Sequence, residues 1–440
     1  MTRSFFVKGI EYSSRNPLII AELGTSHGGD LSKAKEMAAA AAESGAACIK
    51  YQIVFADEIL HPATGEVSLP GGRIPLYDRF KQLEKPQEFY AEIKKYVESL
   101  GLLFLCTPFG LKSARILREL HIEAVKIASP ELNFTALLQE IAKWNLPVLL
   151  SSGVSTLGDI EQAISIIEGG SLPPSSSPPS AVFHLPPSAG TLDKSTAKRC
   201  GSKRQRSESP NKGNCYKRCG FALANPAGDA PATPPPDSRG SAPPLCLLHC
   251  VTAYPAPETD YNLRVLQSLA AVFGVPSGVS DHSLDPELVP ALAVTQGAAA
   301  IEKHFCLSRS DPGLDDPIAL PPPEFARLAE AVRRAAAAGP EKTLAAFRQE
   351  RGDSVVEAVL GSGIKTLARS EKENYSRTNR SIHALRDIQA GETITAKDFS
   401  ILRTEKILRP GLPPSLAENI CGRTARQFIP AGEGIRFEDV

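Results

Sequence analysis

Eight short apolar runs, each stopping abruptly at polar residues, constrain the fold of this chain of 440 residues more than any other feature. Most of the segments between the runs are rich in Ala, Leu, Glu and Lys at helical spacing, which predicts alternating strands and helices. Eight such alternations are typical of an α/β fold, the (β/α)₈ or TIM barrel. The predicted strands lie near residues 18–21, 46–51, 102–106, 124–127, 148–151, 245–250, 275–279 and 298–302.

The polar residues at the ends of these runs carry groups that are suited to catalysis and binding. A TIM barrel collects the C-terminal ends of its strands at one mouth, so the fold would bring these residues into one site. They are Ala21-Glu22, Lys50-Tyr51-Gln52, Thr107-Pro108, Lys126-Ile127-Ala128-Ser129, Ser151-Ser152-Gly153, His249-Cys250, Ser280-Asp281-His282 and Glu302-Lys303-His304.

The balance of charge argues against a nucleic-acid or membrane partner, because 49 basic and 49 acidic side chains leave no net field. No apolar run approaches the ~20 residues of a membrane span, and the first residues lack the apolar stretch of a secretory signal. Nine cysteines in a chain of this length do not suggest a disulfide scaffold, so we expect them to be reduced. These features predict a cytoplasmic protein.

The chain divides into a predicted barrel over residues 1–340, a helical linker over 341–373 and a small β-rich domain over 374–440. An insertion at 171–244, rich in Pro, Ser, Gly and basic residues, interrupts the barrel between helix 5 and strand 6. It has too few large apolar side chains to offset its ordering entropy, which predicts disorder. Its basic tract could bind RNA or a metal, but we favour a solvated loop because its cysteines lack neighbouring histidines.

The C-terminal domain contains an internal repeat. The sequence Ile388-Gln389-Ala390-Gly391-Glu392, followed by Asp398, recurs as Ile429-Pro430-Ala431-Gly432-Glu433, followed by Asp439. Each copy predicts a turn centred on Ala-Gly between short strands, and two copies indicate a pseudo-twofold module. A module of this size has a small core, so we expect it to dock against a barrel.

His282 and His304 are the candidate metal ligands, because they end strands 7 and 8, which are neighbours in the barrel. Two imidazoles with oxygen ligands suit Mn²⁺, Fe²⁺, Co²⁺ or Zn²⁺ and leave positions open for a substrate carbonyl. The alternative is that each histidine makes only structural hydrogen bonds.

Two lysines and several hydroxyl groups indicate an anion site at the same mouth. Ammonium and hydroxyl groups that converge there suit a phosphate together with a carboxylate, and the alternative is ordinary solvated strand ends. Glu22 and Glu131 are candidate contacts for a polyhydroxyl partner, or else solvated glutamates. The anion-site residues are Lys50, Lys126, Ser129, Ser151, Ser152 and Ser280.

Taken together, these motifs resemble the sialic acid synthase (N-acetylneuraminate synthase) family, and the C-terminal domain resembles that family's antifreeze-like SAF domain. The resemblance covers nearly all of the chain except residues 171–244. It rests on Ala21-Glu22-Leu23-Gly24, Lys50-Tyr51-Gln52, Thr107-Pro108-Phe109, Lys126 to Leu132, Leu248-His249-Cys250, Ser280-Asp281-His282, Glu302-Lys303-His304-Phe305, Arg380-Ser381-Ile382 and Asp387 to Glu392.

The resemblance implies a transferase that condenses phosphoenolpyruvate with an N-acetylated hexosamine, giving a nine-carbon 2-keto sugar acid and phosphate. It implies a divalent cofactor, Mn²⁺ with Mg²⁺ or Co²⁺ as alternatives, held by His282 and His304. It also implies a domain-swapped homodimer in which Arg380 reaches the barrel of the partner subunit. The implied phosphoenolpyruvate contacts are Lys50, Thr107, Lys126, Ser129, Ser151 and Ser280, and the implied sugar contacts are Glu22, Glu131, Thr252, Tyr254, Asp315 and Arg380.

The chain departs from the family pattern around the acceptor sugar. The departures are Ser26-His27-Gly28-Gly29, Thr252 where many members have Asn, and Gly313-Leu314-Asp315-Asp316. The acceptor therefore stays open among N-acetylmannosamine, its 6-phosphate and the 2,4-diacetamido hexoses that lead to legionaminic or pseudaminic acid. Further alternatives are a synthase of 3-deoxy sugar acids, a non-catalytic carbohydrate-binding barrel and an enzyme tethered to nucleic acid by its insertion.

Overall fold

A computed structural model describes residues 3–69, 72–169 and 243–440, although not the side chain of Leu69. The predicted insertion at 171–244 lies outside the described residues except for its last two positions. Its predicted disorder therefore stays a prediction.

Eight parallel strands form one sheet that curls into a nearly closed barrel, which confirms the predicted TIM-barrel fold. Strands that follow each other along the chain pair side by side, except the third and the fourth, which are the two edges of the sheet, and the last strand pairs with the first. The strands are β1 (Leu18–Gly24), β2 (Cys48–Ile53), β3 (Leu103–Pro108), β4 (Val125–Ile127), β5 (Val148–Ser151), β6 (Leu245–Cys250), β7 (Ser277–Asp281) and β8 (Ala300–His304).

A helix follows each strand and packs on the outside of the barrel. Side-chain caps explain the starts of two of these helices. The Asp30 side chain accepts the backbone N–H of Lys33 at 2.9 Å, and the Thr156 hydroxyl accepts the backbone N–H of Asp159. The helices are α1 (Leu31–Glu43), α2 (Gln87–Ser99), α3 (Leu111–Glu119), α4 (Thr135–Ala142), α5 (Leu157–Ile167), α6 (Val265–Phe273), α7 (Leu288–Thr295) and α8 (Pro322–Ala338).

Alternation along the strands separates the hydrophobic shell from the barrel interior. On β1, Ile19, Ala21 and Leu23 belong to the cluster shared with the helices, whereas Leu18 and Ile20 belong to a second cluster inside the barrel. An N-terminal hairpin, Phe5–Val7 and Ile10–Tyr12, contributes to the second cluster. The interior is therefore apolar near the starts of the strands, which leaves their C-terminal ends for polar side chains.

Two of the motif residues belong to the outer face instead. Asp281 and Lys303 alternate with the inward-facing residues of β7 and β8, and they form a buried ion pair of 2.7 Å. The Lys303 ammonium also donates to the hydroxyl and the carbonyl group of Ser283. This pair joins two strands structurally and does not reach the barrel mouth.

The loop between β2 and α2 is long and covers one side of the barrel mouth. It contains two helices, Ala56–Ile59 and Leu76–Leu83, and a hairpin formed by Glu66–Leu69 and Gly72–Pro75. Their apolar side chains form a separate buried cluster that includes Phe109 of the β3–α3 loop.

Two further helices, α9 (Pro340–Arg351) and α10 (Asp353–Leu360), follow the barrel, and after Leu360 the linker contains only the short 3₁₀ turn Arg369–Glu371. The C-terminal domain contains one antiparallel pair of strands, β9 (Ser381–Ala384) and β10 (Phe399–Leu402). The short helix α11 (Ala417–Ile420) and several turns complete the domain. The two sequence repeats pair with each other, because Ile388 and Ile429 exchange backbone hydrogen bonds of 2.9 Å.

The described part of the chain contains no helix that is both long and apolar enough to cross a membrane. Its cysteines are free thiols, buried at positions 48, 106, 246, 250 and 306 and exposed at 421.

His383 makes the stability of the C-terminal domain sensitive to acid. Burial lowers its pKa to about 4, and its Nδ1 donates to the carbonyl of Gly432 while its Nε2 accepts from Ser381 Oγ, both at 2.8 Å. The unfolded chain binds a proton near pH 6.5, so this contribution to stability is present above pH 6.5 and is lost as the pH falls toward about 4.

We therefore expect His383→Gln to flatten the decline in thermal stability between pH 7 and pH 5, by about 2 kcal/mol at pH 5. Calorimetric unfolding of the variant and the parent across this range measures the difference. The exposed His121→Gln is the matched control. Parallel profiles for His383→Gln and the parent would contradict the assignment.

Candidate active site

A cavity of about 550 Å³ opens at the C-terminal ends of the barrel strands. It gathers most of the site residues predicted from the sequence. Those that line it are Glu22, Lys50, Lys126, Ser129, Ser151, Thr252, Tyr254, Ser280, His282, His304 and Asp315.

Two lysines and two glutamates form a buried charge network at the floor of this cavity. Lys50 Nζ lies 2.9 Å from Glu22 Oε2 and 3.5 Å from Glu302 Oε1. Lys126 Nζ lies 3.6 Å from the same Glu302 oxygen and donates to Ser151 Oγ at 2.7 Å. Each charge has an opposite partner, which is the condition under which charges are tolerated in a protein interior.

Burial and neighbouring charges shift the pKa values of these groups. Burial raises the pKa of Glu22, and repulsion from Glu302 adds to this against the attraction of Lys50. Burial lowers the pKa of Lys126 despite the attraction of Glu302. Although burial alone would lower it, the two carboxylates raise the pKa of Lys50. Against the effect of burial, the lysines lower the pKa of Glu302, so Glu22 is the one of these two carboxyls that more readily takes up a proton.

Hydroxyl and amide groups complete the floor. Ser280 Oγ donates to Glu302 Oε1 at 2.8 Å, and Gln52 Nε2 donates to Glu22 Oε1 at 2.6 Å. The buried oxygen Glu302 Oε2 has no hydrogen-bond partner among the described residues. Buried polar atoms are rarely left unpaired, so this oxygen marks a position for a polar ligand.

The two predicted metal ligands come together beside this network, with ring centroids 5.4 Å apart. His282 Nδ1 donates to the carbonyl of Val251 at 2.9 Å, which leaves its Nε2 as the lone-pair nitrogen. Burial lowers the pKa of His304 well below its usual value, and repulsion from His282 and Lys50 adds to this. His304 Nδ1 lies 3.7 Å from Asp315 Oδ2.

Burial alone would lower the pKa of His282, but Cys250 raises it. In its neutral form each imidazole offers a free nitrogen, the form in which histidine binds a metal ion. Within residues 3–69, 72–169 and 243–440, no three His, Cys, Asp or Glu side chains are grouped closely enough to hold one unaided. The ring of Tyr254 stacks on His282 at 4.2 Å and closes one side of the pair.

Three predicted site residues do not line the cavity: Thr107, Glu131 and Arg380. The carboxylate of Glu131 accepts from Arg380 Nε at 3.0 Å and from Arg403 Nη2 at 2.6 Å. Arg380 is fully buried and also donates to the carbonyl of Phe109. Of these two arginines it is Arg403, not Arg380, that reaches the cavity.

The resemblance led us to expect that Arg380 contacts the barrel of a partner subunit. Here its guanidinium binds Glu131 of its own chain, because the segment before it runs along the mouth of the same barrel. Burial lowers the pKa of Arg380 to about 10, against the attraction of Glu131, and the group remains charged at neutral pH.

Sequence reasoning missed several residues of the cavity wall. Glu302 was noticed only as a neighbour of His304, although alternation along β8 places both side chains on the inner face. Six more come from the segment before the SAF-like domain and from that domain, and no local pattern pointed to them. They are Asn374, Thr378, Arg403, Glu405, Lys406 and Ile407.

The NeuB family model matches residues 37–343, and the SAF domain model matches residues 379–440. The chain therefore belongs to the NeuB family and carries a C-terminal SAF domain. The recognition made from the sequence motifs is confirmed.

Related proteins match over most of their length. The chain is 29% identical to the N,N′-diacetyllegionaminic acid synthase of Legionella pneumophila, covering 97% of this chain and 96% of that protein. It superposes on the spore coat polysaccharide biosynthesis protein SpsE of Bacillus subtilis with a TM-score of 0.68, 28% identity and 99% coverage of both chains. The N-acetylneuraminic acid synthetase of Leptospira borgpetersenii gives a TM-score of 0.55 at 26% identity, covering 85% of this chain and 95% of that one.

Glu302 is expected to be the residue on which the charge network depends, since one of its oxygens lies near both ammonium groups. Glu302→Gln leaves Lys50 and Lys126 with one carboxylate between them, which should lower the free energy of unfolding by about 3–5 kcal/mol. Denaturant titration of the variant measures this loss.

The double variant Lys126→Met with Glu302→Gln restores the balance of charge, so its loss should be smaller than the sum of the two single losses. The exposed Glu373→Gln is the matched control. Equal stability of Glu302→Gln and the parent, or strictly additive losses, would contradict this role of Glu302.

Proposed function

We propose that this protein condenses phosphoenolpyruvate with an N-acetylated hexosamine to give a nine-carbon 2-keto sugar acid and phosphate. The observation that carries the proposal is one cavity that joins two buried lysines and three serine hydroxyls with two imidazoles. Membership of the NeuB family supports it, as do relatives that are named as synthases of legionaminic and N-acetylneuraminic acid.

The lysine side of the cavity suits the donor, phosphoenolpyruvate. Its phosphate and carboxylate need cations and hydroxyl donors, which Lys50, Lys126, Ser129, Ser151 and Ser280 supply. In this structure the lysines are paired with glutamates, so an anionic donor must compete with them. Because the pKa of Glu22 is raised, proton uptake by Glu22 would free Lys50 for the donor.

The imidazole side of the cavity suits the acceptor sugar. His282 and His304 fit a divalent ion, and we propose Mn²⁺, with Mg²⁺ or Co²⁺ as alternatives. Such an ion would polarise the aldehyde of the open-chain sugar. Tyr254, Thr252 and Asp315 line this side and would orient the sugar over the donor.

The reaction balances without a redox partner. The C3 carbon of the enol bonds to the aldehyde carbon, and the aldehyde oxygen takes a proton to become a hydroxyl group. Water then adds to the cationic C2 carbon, and the C2–O bond to phosphate breaks to leave the ketone. The ammonium groups of Lys50 and Lys126 would stabilise the charge on the departing phosphate.

The first test is phosphate release from phosphoenolpyruvate with Mn²⁺ and a panel of acceptors. The panel contains N-acetylmannosamine, its 6-phosphate and the 2,4-diacetamido hexoses, with arabinose 5-phosphate and erythrose 4-phosphate for the 3-deoxy alternative. We expect release with one N-acetylated hexosamine and none without an acceptor. Release with a simple aldose phosphate alone would overturn the acceptor class, and no release from folded protein would favour the non-catalytic barrel.

The proposed ion predicts that chelation abolishes phosphate release and that added Mn²⁺ restores it. His282→Ala and His304→Ala should each lower kcat/KM by at least about 100-fold, because a Lewis-acid metal supplies several kcal/mol of transition-state stabilisation. The exposed His121→Ala is the matched control. Full activity of either variant, or in the presence of chelator, would exclude the metal role.

We further propose that the protein is a cytoplasmic homodimer. In a homodimer whose two SAF domains exchanged places, Arg380 of each chain would bind Glu131 of the partner subunit. Mixing Arg380→Ala chains with His282→Ala chains separates the two arrangements. Partial recovery of activity would show exchange, whereas no recovery would show that each chain completes its own site, as in this structure.

A further inference from the structure

The segment between α10 and the SAF domain is bonded to the loops that follow β5 and β6. The carboxylate of Glu371 accepts the backbone N–H groups of Val154 and Thr252 through one oxygen, both at 3.0 Å. Its other oxygen accepts the N–H of Ala368 at 3.1 Å. Glu371 is only 1% exposed, so these hydrogen bonds are shielded from water.

Two asparagines of the same segment hold the carbonyl groups of the same two residues. Asn379 Nδ2 donates to the carbonyl of Val154 at 3.1 Å, and Asn374 Nδ2 donates to that of Thr252 at 2.6 Å. The N–H and the C=O of Val154 and of Thr252 are thus all bonded to side chains of residues 371–379. We call this set of contacts the linker clamp.

Val154 shows why a clamp is needed. Its φ angle is +43°, in the left-handed region that a β-branched side chain disfavours. Such strain persists only where the surroundings hold it, and it tends to occur at functional positions. The clamp bonds both backbone groups of this strained residue.

The held loops form the acceptor side of the cavity. Gly153 donates its N–H to Ser129 Oγ at 3.0 Å, and a side chain at Gly153 would overlap Thr252 Oγ1. The loop after Thr252 carries Tyr254, which stacks on His282. On the donor side, Lys50, Lys126 and Ser280 lie on strands that the clamp does not touch, whereas Ser129 and Ser151 adjoin the held loop after β5.

We propose that Glu371 is a positioning residue for acceptor binding, because its one carboxylate sets the backbone of both loops that form the acceptor side. This inference rests on the proposed synthase activity. Losing the clamp should weaken acceptor binding more than donor binding, since both ammonium groups that face the donor lie on strands that the clamp does not touch.

The test compares Glu371→Leu, Glu371→Gln and the exposed control Glu373→Leu in the full chain. Leucine leaves the N–H groups of Val154, Thr252 and Ala368 unpaired, whereas the glutamine oxygen can still accept those of Val154 and Thr252. Steady-state phosphate release gives KM for phosphoenolpyruvate and for the acceptor. Hydrogen exchange followed by mass spectrometry reports the amides of Val154 and Thr252 without any need for activity.

For Glu371→Leu we expect about a tenfold rise in the acceptor KM and about tenfold faster exchange at Val154 and Thr252. The KM for phosphoenolpyruvate should stay within about twofold, and Glu371→Gln should recover most of the loss. Equal rises in both KM values, unchanged exchange, or a glutamine variant as poor as the leucine variant would overturn the proposal.

Asn379→Asp supplies an independent variant if Glu371→Leu does not fold. It keeps the side-chain size but turns the donor to the carbonyl of Val154 into an acceptor, so the acceptor KM should rise alone, as above. An unchanged acceptor KM would overturn the proposal. If the parent protein releases no phosphate with any acceptor, the proposed function fails, and the exchange rates of Glu371→Leu or Asn379→Asp still decide whether the clamp exists.

Discussion

Two ammonium groups and two carboxylates share the interior of the barrel, and their mutual neutralisation is the constraint on which the rest of the structure depends. A single unpaired buried charge costs many kcal/mol. The four side chains come from four strands and must therefore lie at the same level along the barrel axis; they are Glu22, Lys50, Lys126 and Glu302. Strand register therefore cannot slip, because a shift by one residue would turn these side chains outward into the apolar shell. The charges that serve the site also specify the barrel.

The mouth above this network depends on parts of the chain that are distant in sequence. Residues 371–379 bond the loops after β5 and β6, and Glu131 joins two arginines of the C-terminal domain to the loop after β4. The SAF domain also supplies cavity wall through Arg403 and its neighbours. The site is thus a barrel floor covered by the C-terminal region.

Much of this arrangement was predictable from the sequence. All eight strands were placed within a few residues, because each apolar run is short and ends at polar groups. Lys50, Lys126, His282 and His304 were identified since they end those runs. Glu302 could have been found by the same alternation that identified His304. Asp281 and Lys303 belong to the same motifs yet face outward. Only the alternation of side chains along each strand distinguishes them from the residues that face the site.

The sequence by itself determined the barrel, the polar ends of its strands and the family, because strand periodicity and local motifs are recorded in consecutive residues. Only the tertiary structure decided that Arg403 rather than Arg380 reaches the cavity, that Glu131 holds both arginines and that Glu371 bonds Val154 and Thr252. These contacts join residues more than a hundred positions apart. Their geometry depends on how the linker crosses the barrel, and no local pattern in the sequence encodes that path.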